Sequence, residues 1–435
     1  MLYKKIFLGG IIILLATAFR AQAQKLTLEE AIAIALKNNL EIQVLKNNVE
    51  INDINNNNGV AGGLPLVTGS LTDNEQFSNI NQKLNTGTVI KRNAAVGNTL
   101  NTGVNASILL YNGSRVVSTK KRLEKLESQS EQYLNSEIQN LAASVITAYY
   151  DVVRQESYIK TIDRSIEASQ KRLDIVKIQQ GLGLANNADL YQSQVDLNSL
   201  LQSKQSQITI VDQAKTSLLT LLNLRPDSTV SINDTIIVDK SIVLGDVLSR
   251  LDNNADIIAA NMDVTINELI SKEVAAQRYP SVRATAAYNL NRSQSTGGQL
   301  LLNQNQGASA GITVAIPIYN GGIFKRQQRI ADINIKNASL QKDILLRNYS
   351  AVVVKTYQGY HSGIQQIETQ QKNVELAQKL LDLALYRYEL RSATILEVKQ
   401  AQQSYEDAAY TLTNLCFSTK SAEIELRRVS NQVKF

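Results

Sequence analysis

The chain has 435 residues, 43% of them apolar, with 45 basic against 39 acidic side chains and a net charge of +6, too even a balance for a polyanion-binding protein, so nucleic acid is not an expected partner. A lone cysteine, Cys416, forbids an internal disulfide, and a lone histidine, His361, leaves no His/Cys metal site and no histidine-based triad. No carboxylate cluster suggests acid–base chemistry, so neither an enzyme nor a cofactor is expected.

Residues 1–23 read as a signal peptide. Lys4 and Lys5 precede the apolar run Ile6 to Ala18, and Ala21-Gln22-Ala23 offers a small-residue cleavage site before Gln24. Without Lys4, Lys5 and Arg20 the balance falls to +3. No cysteine lies near the cut, so no lipid anchor is expected there. No later run reaches the roughly 20 apolar residues of a membrane helix.

A helix starting at Leu26 is expected within 24–60. Residues 61–112 then read as a strand pair: a weaker strand from about Leu64 to Asp73, and a longer one from Val96 to Leu110. In the latter, Val96, Asn98, Leu100, Thr102, Val104, Ala106, Ile108 and Leu110 alternate with Gly97, Thr99, Asn101, Gly103, Asn105, Ser107 and Leu109, giving a mainly apolar face and a polar face of small side chains. The polar segment 74–93 reads as the loop between them. Tyr111-Asn112-Gly113 ends the pair.

From 113 to 224 a long helical hairpin is expected. Ile138, Leu141, Val145, Ala148, Val152, Ile159, Ile162, Ile166, Leu173 and Val176 recur in steps of three, four and seven. At about 1.5 Å per residue such a helix approaches roughly 100 Å. Gly181-Leu182-Gly183 turns it, and the return runs through Leu190, Leu197, Leu201, Ile208, Val211, Leu218 and Leu222. Residues 225–278 hold a connecting segment, with Thr229 to Val238 as a short strand, and a helix from near Ile242. A second strand pair follows over 279–320: Val282 to Leu290 and Ala308 to Ile318, joined by the polar segment 293–307. Arg283 lies on the polar face. A second long hairpin fills 321–430, turned at Leu390-Arg391-Ser392, before the short tail 431–435. Cys416 reads as a small buried apolar group. All four prolines, Pro65, Pro226, Pro280 and Pro317, sit at joints between elements.

The two halves match at a shift of 208 residues. Tyr111-Asn112-Gly113 falls on Tyr319-Asn320-Gly321, Val145 on Val353, Tyr149 on Tyr357, Leu173-Asp174 on Leu381-Asp382, and Ala185 on Ala393. The strands suit a membrane, where roughly 9 to 11 residues suffice to cross, with the polar face toward water. Four strands cannot close a barrel, because an open edge in lipid is too costly. Several copies must contribute, and the residues alone do not separate two from three.

With its two Tyr-Asn-Gly turns, its opening Leu26-Thr27-Leu28-Glu29-Glu30-Ala31 with Asn38-Asn39, and the helix-tip segments Gly183 to Asp189 and Arg391 to Val398, the chain resembles the TolC-like outer membrane efflux family over about residues 25–430. The resemblance implies a mixed α and β fold: long coiled-coil helical hairpins forming an α-barrel, fused to a transmembrane β-barrel with four strands per protomer. It also implies an equatorial belt including residues 224–250. As partners it implies a homotrimer, a periplasmic adaptor (membrane fusion) protein, an inner-membrane RND or ABC transporter and outer-membrane lipid. The chain would then be the passive exit duct of an efflux or type I secretion system, in the outer membrane of a Gram-negative bacterium.

The resemblance places the adaptor-contacting tips at Gly181, Leu182, Gly183, Leu184 and Ala185, and at Arg391, Ser392, Ala393 and Thr394. It places the periplasmic aperture at Tyr388, Asp189, Glu397 and Gln400. Glu397 matches a ring-forming aspartate of the family, but Gln400 replaces a second acidic position and Ala393 an arginine, so a salt-bridged gate departs from the pattern. The same residues spell helix starts: Thr394-x-x-Glu397 is a capping box, and Asn186-x-x-Asp189 is expected to do the same job. A secreted coiled-coil structural or adhesive protein is the alternative, but it has no need of amphipathic strands of membrane length.

Overall fold

The computed structural model describes residues 24–297 and 300–433. The signal-peptide reading lies outside the described residues.

Strand β1 is Gln24–Lys25, and helix α1 is Leu28–Asn38. The helix starts two residues later than the apolar pattern suggests, because the Leu26 N–H is used on the Ser231 carbonyl at 3.0 Å. Thr27 caps α1 through a complete capping box with Glu30. The expected single helix breaks at Asn39, which is extended. Its Oδ1 accepts from the Ile42 N–H at 3.0 Å and so starts α2, Leu40–Asn55.

Next come β2, Leu66–Lys83, and β3, Val89–Tyr111; then α3, Arg115–Gly181, and α4, Asn187–Leu221. The connecting segment holds only β4, Val230–Ser231, a two-residue strand parallel to β1 where a longer one was expected. Helix α5 is Leu244–Ser249, and a 3-10 turn at Leu251–Asn253 leads into α6, Ala255–Ala276. The second half continues with β5, Ser281–Ser295; β6, Leu302–Ala315; α7, Ile323–Glu389; and α8, Ile395–Val429.

The duplication holds at the level of single backbone positions. Both first helices have 67 residues and both return helices 35, and every one of their bounds recurs 208 residues later. So do the positions forced into the left-handed region: Gly113 and Gly321, Ser114 and Gly322, Gly183 and Arg391, Asn223 and Asn431. These positions end helices or turn the chain into them, where the backbone must reverse. Gly113 has a second constraint, since a Cβ there would lie 2.8 Å from the Ala276 carbonyl and from Tyr279 Cβ.

The strands form one antiparallel sheet in the order β2-β3-β5-β6. Its register aligns the apolar positions in rows, Ile108 with Ala284 and Ile312, and Val104 with Tyr288 and Ala308. Directly opposed residues share a face, so these rows are apolar across strands, while further along the same face Leu100 is opposed by Asp73 and Arg292. The strands run longer than expected toward their hairpin turns, whereas β6 stops at Ala315 and not at Ile318. The predicted loops 74–93 and 293–307 are largely strand, and the first true turn is only Leu84 to Thr88, closed by Leu84 N–H to Thr88 O at 2.9 Å. Ladder bonds need no apolar side chain, so Asn, Gln, Ser and Thr carry the strands onward.

The described chain divides into two compact units. One contains Asn47–Gln132 and Ile258–Asp343, and so holds the sheet; the other contains Tyr133–Ile257, the residues up to Lys46 and those from Ile344 on. Within the latter, one core gathers Ala31, Ile32 and Ala35 against Leu141, Val145, Tyr149 and Val152 of α3, Leu218 of α4 and its C-cap Leu222. A second gathers Val247, Leu251 and Ile257 against Val353, Tyr360 and Leu426. Val145 and Val353, and Leu218 and Leu426, are repeat equivalents, so each half builds its own version of one core. Cys416 is half-buried among these helices, and burial pushes its thiol up. No described helix is long and apolar enough to cross a membrane.

Candidate functional site at the hairpin tips

Each tip begins with the end of a long helix. In the first, the Gly183 N–H bonds the Gln180 carbonyl at 2.9 Å and the Leu184 N–H bonds Gln179 at 2.7 Å, with Gly183 at φ 72°. This paired closure satisfies the orphan carbonyls of a helix end and requires a left-handed residue. The second tip repeats it: Arg391 to Tyr388 at 3.1 Å and Ser392 to Arg387 at 2.8 Å, with Arg391 at φ 63°. Arg391 is no glycine, and local bonds hold it there. Arg387 Nη2 donates to the Ser392 carbonyl at 2.7 Å, and the Ser392 hydroxyl donates to the Arg387 carbonyl at 3.1 Å.

The return helices start on caps. Asn186 accepts from the Asp189 N–H at 2.8 Å, but no reciprocal bond from Asp189 to the Asn186 backbone forms, so the expected box is only half made. Asp189 is one methylene shorter than its repeat equivalent, Glu397. There the box is complete: Thr394 accepts from the Glu397 N–H at 3.2 Å, and the carboxylate accepts from the Thr394 N–H at 3.4 Å. Arg387 Nη1 lies 3.8 Å from the same carboxylate. The Glu397 side chain is half-exposed. Gln400 is exposed one turn further along α8, while Leu182 and Leu184 present apolar side chains to solvent.

Tyr388 is placed differently. It is buried in a small core with Val176, Leu381, Ala384, Val398 and Ala401, against which Ala185 and Ala393 also pack. Burial raises its hydroxyl pKa and the Asp189 charge adds to this, with Arg172 opposing. Tyr388 and Asp189 therefore share one neighbourhood, while Glu397 and Gln400 stand on the outer turns of α8.

Three residues that the sequence reading passed over lie behind this core. Arg172 of α3 is 1% exposed and pairs with Asp196 of α4 at 2.8 Å. Lys399 of α8 reaches the same carboxylate at 3.1 Å, and Gln192 donates to it at 2.8 Å. Burial drives the Asp196 carboxyl up, but Lys399, Gln192 and Arg172 outweigh it and hold the group below the ordinary aspartate value. Asp196 thus joins the first hairpin to the second. Arg164 does the same from α3, contacting Asp382 of α7 at 2.7 Å. The sequence signal for Arg172 was an arginine beside the apolar seam at Leu173 and Val176.

No group of residues that could hold a metal ion occurs among the described residues. Comparison with known proteins names the fold. The model of a family described as outer membrane efflux protein matches residues 31–224 and 249–432. The chain belongs to the outer membrane efflux protein family. Its place is accordingly the outer membrane of a Gram-negative cell, with a periplasmic extension.

Among family members, the chain is 21% identical to outer membrane protein TolC of Escherichia coli over 286 residues, which cover 63% of this chain and 58% of that protein. It is 21% identical to TolC of Vibrio cholerae over 76% of each. Among solved structures, VceC of Vibrio cholerae superposes with a TM-score of 0.75 at 18% identity, over 93% of this chain and 95% of that one. The CmeC outer membrane channel of Campylobacter jejuni gives 0.77 at 16% identity, over 93% and 85%. The match spans about three-fifths of the E. coli protein's length, and at these identities the structures speak for the fold alone.

Proposed function

We propose that this chain is the exit duct of an efflux or type I secretion apparatus, with three copies closing one channel. The observation that carries the reading is the sheet. It ends on β2 and β6, neither of which has an outer neighbour among the described residues. In lipid an unpaired edge leaves a row of unsatisfied N–H and C=O groups at several kcal/mol each. An outer-membrane sheet must therefore pair β6 of one copy with β2 of the next, and three copies give twelve strands.

The helices beside the sheet support the same closure. Helix α6 is held from two sides: Arg122 of α3 pairs with Glu273 at 2.7 Å, and Asp332 of α7 accepts from Ser271 at 3.2 Å. In the first half, Asn56, just past α2, reaches α3 through Glu127 and Lys120. The other flank of α2 leaves Ile51 and Ile54 exposed, and α7 leaves Ile330, Ile333 and Leu340 exposed. A neighbouring copy's α7 laid on α2 would complete the pattern. Such a contact is head-to-tail, so it closes only as a ring.

Transport is passive. A periplasmic adaptor and an inner-membrane RND or ABC transporter supply the driving force, and the tips at Gly181 to Ala185 and Arg391 to Thr394 meet the adaptor. Tyr388, Asp189, Glu397 and Gln400 border the aperture.

The decisive experiment reconstitutes purified protein in a planar bilayer and measures its mass in detergent. A trimer that gives discrete conductance steps is expected. The variant Ile54→Asp, at a site open to solvent in the single chain, should block assembly and abolish the steps. Monomers without conductance, or a fully assembled Ile54→Asp variant, would overturn the respective halves of the reading.

A further inference from the structure

The acids of the sheet unit are absent from two long stretches that hold most of the strands. Between Glu75 and Glu124, and again between Glu273 and Asp332, the sequence contains no aspartate or glutamate, while lysines and arginines continue through both stretches. The imbalance is sharpest where the first hairpin overhangs the second. β3 pairs with β5 only from Gly97 onward, so Phe77 to Lys83 and Val89 to Val96 form a two-stranded ribbon. Among the described residues its cover is Thr296, whose N–H donates to the Val96 carbonyl at 3.0 Å, and Gly297, which lies against Ala95 and Ile80.

This ribbon displays Lys83, Lys91 and Arg92, all exposed and in no ion pair among the described residues. The register opposes Lys83 to Val89 and Asn81 to Lys91. The two lysines are therefore diagonal neighbours on one face, and Arg92, next to Lys91 in the chain and opposite Ile80, lies on the other face of the same ribbon. Like charges brought this close across strands repel, and nothing in the ribbon neutralises them. Phe77, 73% exposed and opposite Val96, adds an apolar surface at the other end of the ribbon. Cations and an exposed aromatic on one ribbon suit an amphiphile with phosphate groups and acyl chains. Phosphate oxygens accept from ammonium and guanidinium groups, and the ring lies on hydrocarbon.

We infer that this ribbon is a docking surface for the phosphate groups of the lipid A-type glycolipid of the outer leaflet. The inference rests on the duct reading, which turns the hairpin loops away from the cell. Arginine and lysine near an anionic lipid surface act additively, and three of them account for a large share of such binding.

The test uses the full-length oligomer in phosphatidylcholine nanodiscs doped with lipid A, dephosphorylated lipid A or phosphatidylglycerol, with bound lipid counted by native mass spectrometry. Inorganic phosphate is added as a competitor. Wild-type protein should retain lipid A and not its dephosphorylated form. The Lys83→Gln/Lys91→Gln/Arg92→Gln variant should bind lipid A about a hundredfold more weakly. Equal retention by the variant, equal retention of the dephosphorylated lipid, or displacement by inorganic phosphate at concentrations comparable to the lipid would overturn the inference. Retention of phosphatidylglycerol as strong as that of lipid A would overturn the choice of glycolipid. Heat-modifiable migration on a gel checks that the variant folds. Bilayer conductance separates the two readings: a conducting protein with no lipid A preference sinks this inference alone, and a non-conducting wild type sinks the duct.

Discussion

The two hairpins are one design carried out with different residues. Their helices begin and end at equivalent positions, and both tips close through a left-handed residue followed by a side-chain cap. What has diverged is the interior. The first hairpin buries Arg172 against Asp196; at the equivalent positions the second has Leu380, which is 51% exposed, and Ser404. Along the same face of the second, Leu376, Leu383 and Tyr386 are also open. Backbone geometry tolerates few residue types at a turn, and that constraint has survived duplication. Side-chain chemistry along the helix has not, so where the first hairpin buries an ion pair the second leaves apolar side chains open.

The largest test of this contrast is Asp196→Ala. It leaves the Arg172 guanidinium buried without its charge partner, which should cost about 3 kcal/mol or more. Changing Ser404, its equivalent, to alanine should cost within about 0.5 kcal/mol. Chemical unfolding of the assembled protein measures both. The reading fails if the two variants unfold alike. The double variant Arg172→Leu/Asp196→Ser, which copies the second hairpin, should recover most of the loss. The pH dependence follows from the lowered Asp196 pKa. The carboxylate contributes fully above the ordinary aspartate range of about 4 and its contribution is lost as pH falls through the lower folded value. The link should thus persist at pH 5.

Next comes the left-handed position. Gly183→Ala places a Cβ at φ 72° and should cost about 1 kcal/mol. Arg391→Gly relieves the same strain at φ 63° but frees the unfolded chain, so a net gain below about 1 kcal/mol is expected. Opposite signs, read from hydrogen exchange of the tip amides, sharpen the comparison. A loss in both would mean that Arg387 and Ser392 hold Arg391 without strain.

A related difference concerns Tyr388, whose equivalent in the first hairpin is Gln180. Tyr388→Phe keeps the ring in its core with Val176 and Val398 and removes only the hydroxyl. We expect stability within about 0.5 kcal/mol of wild type, with a larger conductance in the closed state. An unchanged conductance removes Tyr388 from the gate.

Much of this was legible beforehand, for identifiable reasons. The repeat, the Tyr-Asn-Gly turns and the apolar seam locate the long helices, because a 3.6-residue period sustained over so many turns has no other reading. Thr394 and Glu397 announce their cap, since its chemistry is local. The break at Asn39 was missed because Asn38-Asn39 lies inside an otherwise continuous apolar pattern. Strand lengths were missed because polar residues carry ladder bonds as well as apolar ones. The Arg172–Asp196–Lys399 cluster was the least legible. Its members come from three helices, and each alone looks like an ordinary surface charge until the hairpin register brings them together.

The smallest expected change in stability addresses the most contested residue. Glu397 closes a capping box and, in the proposed ring, also contributes one of three carboxylates near the axis. Glutamine at the same position can still accept from the Thr394 N–H, so Glu397→Gln should preserve the helix start to within a few tenths of a kcal/mol. Thr394→Ala, by contrast, removes the acceptor for the Glu397 N–H and should cost about 1 kcal/mol while leaving the charge. If the carboxylates line a constriction, Glu397→Gln lowers the cation preference of single channels and Thr394→Ala does not. Asp189 supplies the control: it is the repeat equivalent of Glu397 without the reciprocal bond, so Asp189→Asn tests charge at the tip free of a complete box. Unchanged selectivity in both charge variants would reduce Glu397 to its cap.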